Sequence, residues 1–263
     1  MSSLANNPDP GDRWGFYAPR KAKRKHWDLV ELVVAYALIL LVIWSPRALQ
    51  RWFYWAAVVW ILVAVPGSFR EWKTMGFRTA GFWRSFWVFC AALLAAGIAV
   101  AFASRLGTLH LPSTLTGFLR GFAGYGIWAF VQQFLLQDFF LLRLLRLVHG
   151  KAAAVALAVG MFALAHLPNP ILTPAALLWG LISCLVFLRY RNLFTLGIAH
   201  AVLGIALAIS VPGQLDHNMR VGLGYITFRP HHHHRNERDH TVSTDAWVRA
   251  EAPTRCSRRQ ARP

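Results

Sequence analysis

The sequence predicts an all-α fold, a polytopic membrane helix bundle of about seven transmembrane helices (six to eight). Three observations predict it. Hydrophobic residues make up 56% of the 263-residue chain and charged residues 15%, well under the quarter usual in soluble domains. The apolar residues fall in long runs, and many of the 12 Trp and 18 Phe stand beside the ends of those runs, as in the aromatic belts of membrane interfaces. Mean hydropathy is +0.39 despite a net charge of +17, so the basic residues are gathered outside the runs. This excludes a disordered or acidic protein, and it excludes a plain nucleic-acid binder. Nucleic acid is not an expected partner; membrane lipid is.

A hydrocarbon core takes roughly 20 residues of helix, and seven runs approach that length: 29–45, 52–67, 84–103, 119–142, 152–166, 171–188 and 193–211. The fifth is short, and Leu167-Pro168-Asn169-Pro170 ends it, because proline lacks a donor and disfavours helix in the residue before it. Arg13, Arg20, Lys21, Lys23, Arg24 and Lys25 precede the first run, and heavily and lightly basic loops alternate after it, which supports a cytoplasmic N-terminus; the expected location is a bacterial-type plasma membrane. Residues 1–28 form a basic cytoplasmic segment without a cleavable signal. Residues 29–211 form the transmembrane domain. Residues 212–263 form a basic polar tail expected to be disordered, carrying nine Arg and the run His231 to His234. Segment 69–84, with Trp72, Phe77, Phe82 and Trp83 among basic residues, reads either as an interfacial stretch along the cytoplasmic surface or as an ordinary amphipathic loop. Cys90, Cys184 and Cys256 have neither metal-ligand nor redox spacing.

Polar side chains at membrane depth are costly and mark functional paths or inter-helix contacts. The fourth run carries Gln132, Gln133, Gln137 and Asp138, the fifth His166, and the seventh His200. At about 1.5 Å per residue, Gln132 and Gln133 lie roughly 15–17 Å from Arg143, His200 roughly 13 Å from Arg191, and His166 roughly 22 Å from Lys151. All fall between the headgroups, so one shared polar cavity is geometrically open to them. Gln133 and Gln137 share a helix face, and Asp138 lies about 140° away from Gln133. Asp138 is read as the partner of Arg143 or of another helix. Gly197, Ala201 and Gly204 beside His200 read as a close-packing stripe.

In order and spacing these residues resemble the CPBP family, which comprises CAAX prenyl endopeptidases, bacteriocin-processing proteins and immunity relatives. Its three motifs are Glu-Glu-x-x-x-Arg, Phe-x-x-x-His and His-x-x-x-Asn. Gln132-Gln133-Phe134-Leu135-Leu136-Gln137 stands at the first, Phe162 to His166 at the second, and His200 to Gly204 at the third. The match spans about residues 115–211. The resemblance implies intramembrane peptide-bond hydrolysis in membrane-embedded or prenylated substrates. It places Gln132 at the water-activating Glu and Gln133 beside it, His166 as the aid to that water, and His200 with Gly204 at the oxyanion. Gln137 replaces the Arg, and Phe162 is a binding residue.

A carboxamide cannot take a proton from water; it can only orient it. A family-type reaction in this chain therefore needs His166 as base, with Gln132 and Gln133 positioning water and His200 binding the carbonyl oxygen. The rival expectation is a non-catalytic relative that holds a membrane peptide, lipid or partner protein in the same cavity. No cofactor is expected: zinc would need a third ligand beyond His166 and His200, and the sequence offers none.

Overall fold

The apolar runs fold as helices, some of which extend past the runs, the first beginning at Ala22 and the helical stretch of the fourth ending at Leu147. The computed structural model describes residues 22–68, 76–77, 81–112 and 114–229. Most of the interfacial stretch 69–84, most of the basic N-terminal segment and the tail from residue 230 on lie outside the described residues. The elements are α1 Ala22–Trp44, α2 Arg47–Ser68, α3 Phe82–Leu106, α4 Leu115–Phe134, a π-helical segment Leu135–Leu141, α5 Leu142–Leu147, α6 Lys151–Leu164, α7 Leu172–Tyr190, α8 Leu193–Ser210, α9 Gly213–Asp216 and α10 Gly222–Ile226. No strand occurs among the described residues.

Five of these helices, α1, α2, α3, α7 and α8, are long and apolar enough to cross a membrane. Their outward faces are greasy. Val63 is 69% exposed and Leu94 67%, which water would penalise and acyl chains would not. The chain is an integral membrane protein. α6 is shorter, 14 residues, and stops two residues before His166. α4, the π segment and α5 follow one another without a break, so the fourth run extends beyond both of its predicted limits.

Local chemistry sets the helix ends. Thr114 caps α4 by accepting from the Gly117 N–H at 3.0 Å, and Asn192 caps α8 by accepting from the Thr195 N–H at 2.9 Å. Gly107 ends α3 in the left-handed region at φ 69°, where glycine carries no steric cost. Inside the bundle, α3 is pinned to α8 by Ser85 Oγ and Thr195 Oγ1 at 2.9 Å, and α1 to α6 by Tyr36 Oη donating to the Met161 carbonyl at 3.0 Å.

A ladder of two ion pairs holds α1 against α5. Glu31 Oε2 accepts from Arg143 Nη2 at 2.6 Å and Nε at 2.9 Å; Asp28 accepts from Arg146 Nη2 at 2.6 Å and Nε at 2.8 Å. The acids are three apart on one helix and the arginines three apart on the other, so each pair forms one rung. Arg143 is 2% exposed. It also donates to the Phe139 carbonyl at 3.0 Å and the Ala64 carbonyl at 3.4 Å, with its guanidinium 3.7 Å from the Phe139 ring centroid.

This overturns the expected Asp138–Arg143 pair. The Arg143 donors named above go to Glu31, Ala64 and Phe139, so its charge is met on α1 and not by Asp138. Both oxygens of buried Asp138 lack a hydrogen-bond partner among the described residues.

Residues 212–229, placed in the tail by sequence, form α9, α10 and the turn between them. His217, Asn218 and Met219 are all left-handed, at φ 51°, 56° and 58°, a conformation costing about 1–2 kcal/mol per non-glycine residue. Buried Asn169 holds the turn: its Nδ2 donates to the Asp216 carbonyl at 2.7 Å and the Arg220 carbonyl at 3.0 Å, while its Oδ1 accepts from the Ile171 and Leu172 N–H groups. The His217 ring stacks between Tyr225 and Phe228, with centroids at 4.0 and 4.7 Å. Burial pushes the Asp216 carboxyl above its ordinary range, against a hydrogen bond from the Asn218 N–H.

Removing one member of the inner rung leaves a buried charge alone, which costs about 3–5 kcal/mol. Glu31→Ala should therefore lower the detergent-phase melting temperature sharply. Glu31→Leu with Arg143→Met should regain most of the loss, since that rung then leaves no unpaired buried charge. Equal losses in the two variants would show that the cost does not come from an orphaned buried charge.

Candidate functional site

Four side chains from three helices form a neutral hydrogen-bonded chain at mid-bundle. Ser183 Oγ of α7 donates to the Gly180 carbonyl at 3.1 Å. Gln137 Nε2 donates to Ser183 Oγ at 3.0 Å and to Gln133 Oε1 at 3.3 Å, and Gln133 Nε2 lies 3.0 Å from His200 Nδ1 of α8. Gln133 and Gln137 are fully enclosed.

The polarity of this chain follows from its fixed end. A carbonyl only accepts, so with its proton on Gly180 the Ser183 oxygen must accept from Gln137. Gln137 then faces Gln133 with its nitrogen, Gln133 presents oxygen to it and nitrogen to His200. His200 Nδ1 is therefore an acceptor, and its proton sits on Nε2. His166 has the opposite tautomer. Its Nδ1 lies 2.7 Å from the Phe162 carbonyl, which forces the proton onto Nδ1 and leaves a lone pair on Nε2. One imidazole presents a donor and the other an acceptor.

Phe162 links the two rings. Its centroid is 4.8 Å from that of His166 and 6.1 Å from that of His200. The Trp179 ring stands 6.0 Å from His200, and its buried Nε1–H has no partner among the described residues. His166 itself lies on the turn that closes α6, not within a helix, and Asn169 three residues on anchors that turn to residues 212–220. Gln132 is half-buried and takes no part in the Gln133–Gln137–Ser183 chain. No group of three His, Cys, Asp or Glu able to hold a metal occurs among the described residues.

Gly204 has a steric reason to be glycine. A Cβ there would overlap the Tyr125 hydroxyl, and one on Gly197 would overlap the Phe130 ring. Tyr125, Ala129 and Gln133 recur every four residues along α4, facing Gly204 and His200, which are four apart on α8. The Tyr125 hydroxyl thus occupies the space into which a side chain at 204 would project. Sequence reasoning assigned Gly197 and Gly204 to close packing but missed Tyr125, Ser183 and Trp179. Ser183 gave a weak signal because a serine in an apolar helix commonly satisfies itself on a preceding carbonyl. Tyr125 and Trp179 were hidden among many aromatics.

Comparison with family models, with curated proteins and with solved structures finds no match to this chain.

Two outcomes test this geometry. Gly204→Ala should destabilise the protein by about 1–3 kcal/mol, the usual cost of overpacking, and adding Tyr125→Ala should give a loss smaller than the sum of the single losses. Strict additivity in thermal melts would place the ring elsewhere. Asp138→Leu, which removes two unpartnered buried oxygens, should hold or raise the melting temperature; a drop of several degrees would reveal a partner for that carboxyl.

Proposed function

We propose that this protein is an intramembrane endopeptidase-type member of the CPBP family in which a neutral imidazole replaces the carboxylate base. Its substrates are peptides embedded in the membrane or anchored there by a lipid. The observation that carries this reading is the complementary pair of tautomers beside Phe162, a lone pair on His166 Nε2 and a proton on His200 Nε2.

The proposed chemistry follows from that pair. His166 Nε2 takes a proton from water as the oxygen attacks the scissile carbonyl carbon. His200 Nε2–H donates to the carbonyl oxygen as it gains charge, and Gln133, through Nδ1, fixes the ring that does so. His166 then returns its proton to the leaving amine. Gln132, half-buried and outside the Gln133–Gln137–Ser183 chain, orients the water. Gln133, Gln137 and Ser183 supply no charge, which suits a site at membrane depth where an ion would cost several kcal/mol.

The same proposal includes seven crossings, the short α6 among them, with the basic N-terminus in the cytoplasm of a bacterial-type cell. It is supported by the alternating directions of successive helices, which bring the starts of α1, α3, α6 and α8 to the end of the bundle that carries the Asp28–Arg146 rung. A second reading has its own support. The Gln133 carboxamide is engaged at both ends, which suits a settled binding cavity that captures a membrane peptide, lipid or partner protein without cutting it.

Purified protein offered prenylated and membrane-embedded peptides decides between them. Hydrolysis that falls about 10²–10⁴-fold in His166→Ala, the usual contribution of a general base, is the expected result. Binding without hydrolysis, unchanged when Gln132→Glu and Gln133→Glu are combined, would establish the second reading. Hydrolysis unaffected by His166→Ala would refute the assigned base.

A further inference from the structure

Where α3 and α8 begin, an apolar groove of ≈ 400 Å³ lies between them, lined by Phe82 and Trp83 of α3 and Phe194 and Ile198 of α8. It opens on the outside of the bundle: Trp83 is 78% exposed and Phe194 40%. Both helices are among those long and apolar enough to cross a membrane, so the groove faces lipid. Near its rim Trp87 Nε1 donates to Tyr190 Oη at 3.3 Å, and the Arg189 guanidinium carbon lies 5.6 Å from the Tyr190 ring centroid. Arg84 is exposed on α3 between the groove residue Trp83 and Trp87, and Arg189 is exposed at the end of α7 beside Tyr190.

Both arginines are exposed, and no acid among the described residues pairs with either of them. The acids among the described residues are Asp28, Glu31, Asp138 and Asp216, and the ion pairs they form there engage Arg143 and Arg146. The Tyr190 oxygen already accepts from Trp87, so its own proton is left to donate outward. Arg84 follows the groove residue Trp83 on α3, and Trp87, one turn further on, carries the Tyr190 hydroxyl with Arg189 beside its ring, so two guanidinium forks and a hydroxyl proton neighbour the apolar trough. That is the donor set for a phosphate bearing an acyl chain.

We propose that this groove binds an anionic phospholipid. One acyl chain lies along Phe82, Trp83, Phe194 and Ile198, and the phosphate is held by Arg84, Arg189 and the Tyr190 hydroxyl. A zwitterionic phospholipid brings its own cation to the same place, where two arginines repel it. An anionic one does not. The site is separate from the His166–His200 cavity and stands whether or not that cavity cuts peptides.

The test uses the full chain in mild detergent, mixed with phosphatidylglycerol or phosphatidylcholine, with bound lipid counted by native mass spectrometry. Phosphatidylglycerol should be retained roughly 30-fold better, as two basic contacts to an anionic lipid imply. Arg84→Gln with Arg189→Gln should abolish that preference, while Arg105→Gln with Arg120→Gln should leave it intact. High salt should weaken the preference in the unsubstituted protein, a readout independent of whether any variant folds. Equal retention of the two lipids, a salt-insensitive preference, or a preference surviving in the Arg84/Arg189 variant would overturn the proposal.

Discussion

A buried guanidinium must be satisfied by fixed groups, and Arg143 imposes that demand on three parts of the chain at once. Its carboxylate comes from α1, one carbonyl from α2 and another from the π segment just before it. The cation lies over the ring of Phe139, which belongs to the π segment. Anchoring Arg143 therefore anchors the segment that carries Gln137, and through Gln137 the direction in which Gln133 meets α8. The π turn belongs to the same constraint. Its wider i→i+5 closure, seen in the Leu142 N–H donating to the Gln137 carbonyl, re-aims the side chains on either side of it, as such turns commonly do near functional sites.

One continuous helical stretch thus carries two polar systems of opposite character. Near its end the network is ionic, with two carboxylates and two guanidinium groups. Deeper, the network contains only carboxamide, hydroxyl and imidazole. The order matches the physics of depth, because the cost of an ion rises toward the bilayer centre while a neutral group costs far less, even with the Gln137 Oε1 unpartnered among the described residues. The direction of each proton in the deeper network descends from a single backbone carbonyl, that of Gly180. A change as small as the loss of the Ser183 hydroxyl would release that direction without touching either histidine.

Helix positions were legible in the sequence because apolar run length and the Pro168–Pro170 break are local signals. Gln133 and His200 could be placed at one depth by counting residues, and they do meet. The Asp138 assignment failed for a traceable reason. Phase counted at 100° per residue does not hold through residues 135–141, and the true partner of Arg143 lies 112 positions away on α1. The matched three-residue spacings of Asp28/Glu31 and Arg143/Arg146 were present in the sequence, but nothing local ties one helix to the other. The order in residues 212–229 was masked by polar composition; it arises from Asn169, a loop residue whose role depends on chain that comes 47 positions later.

That left-handed turn changes how force travels in the molecule. Leu167 and Asn169, one and three residues past His166, are tied to residues 216–222 by three short hydrogen bonds, including Gly222 N–H to the Leu167 carbonyl at 2.7 Å. The histidine turn is therefore moored at both ends, to α6 on one side and to this strained knot on the other. Tension applied to the knot would tug the imidazole directly, with no helix required to tilt.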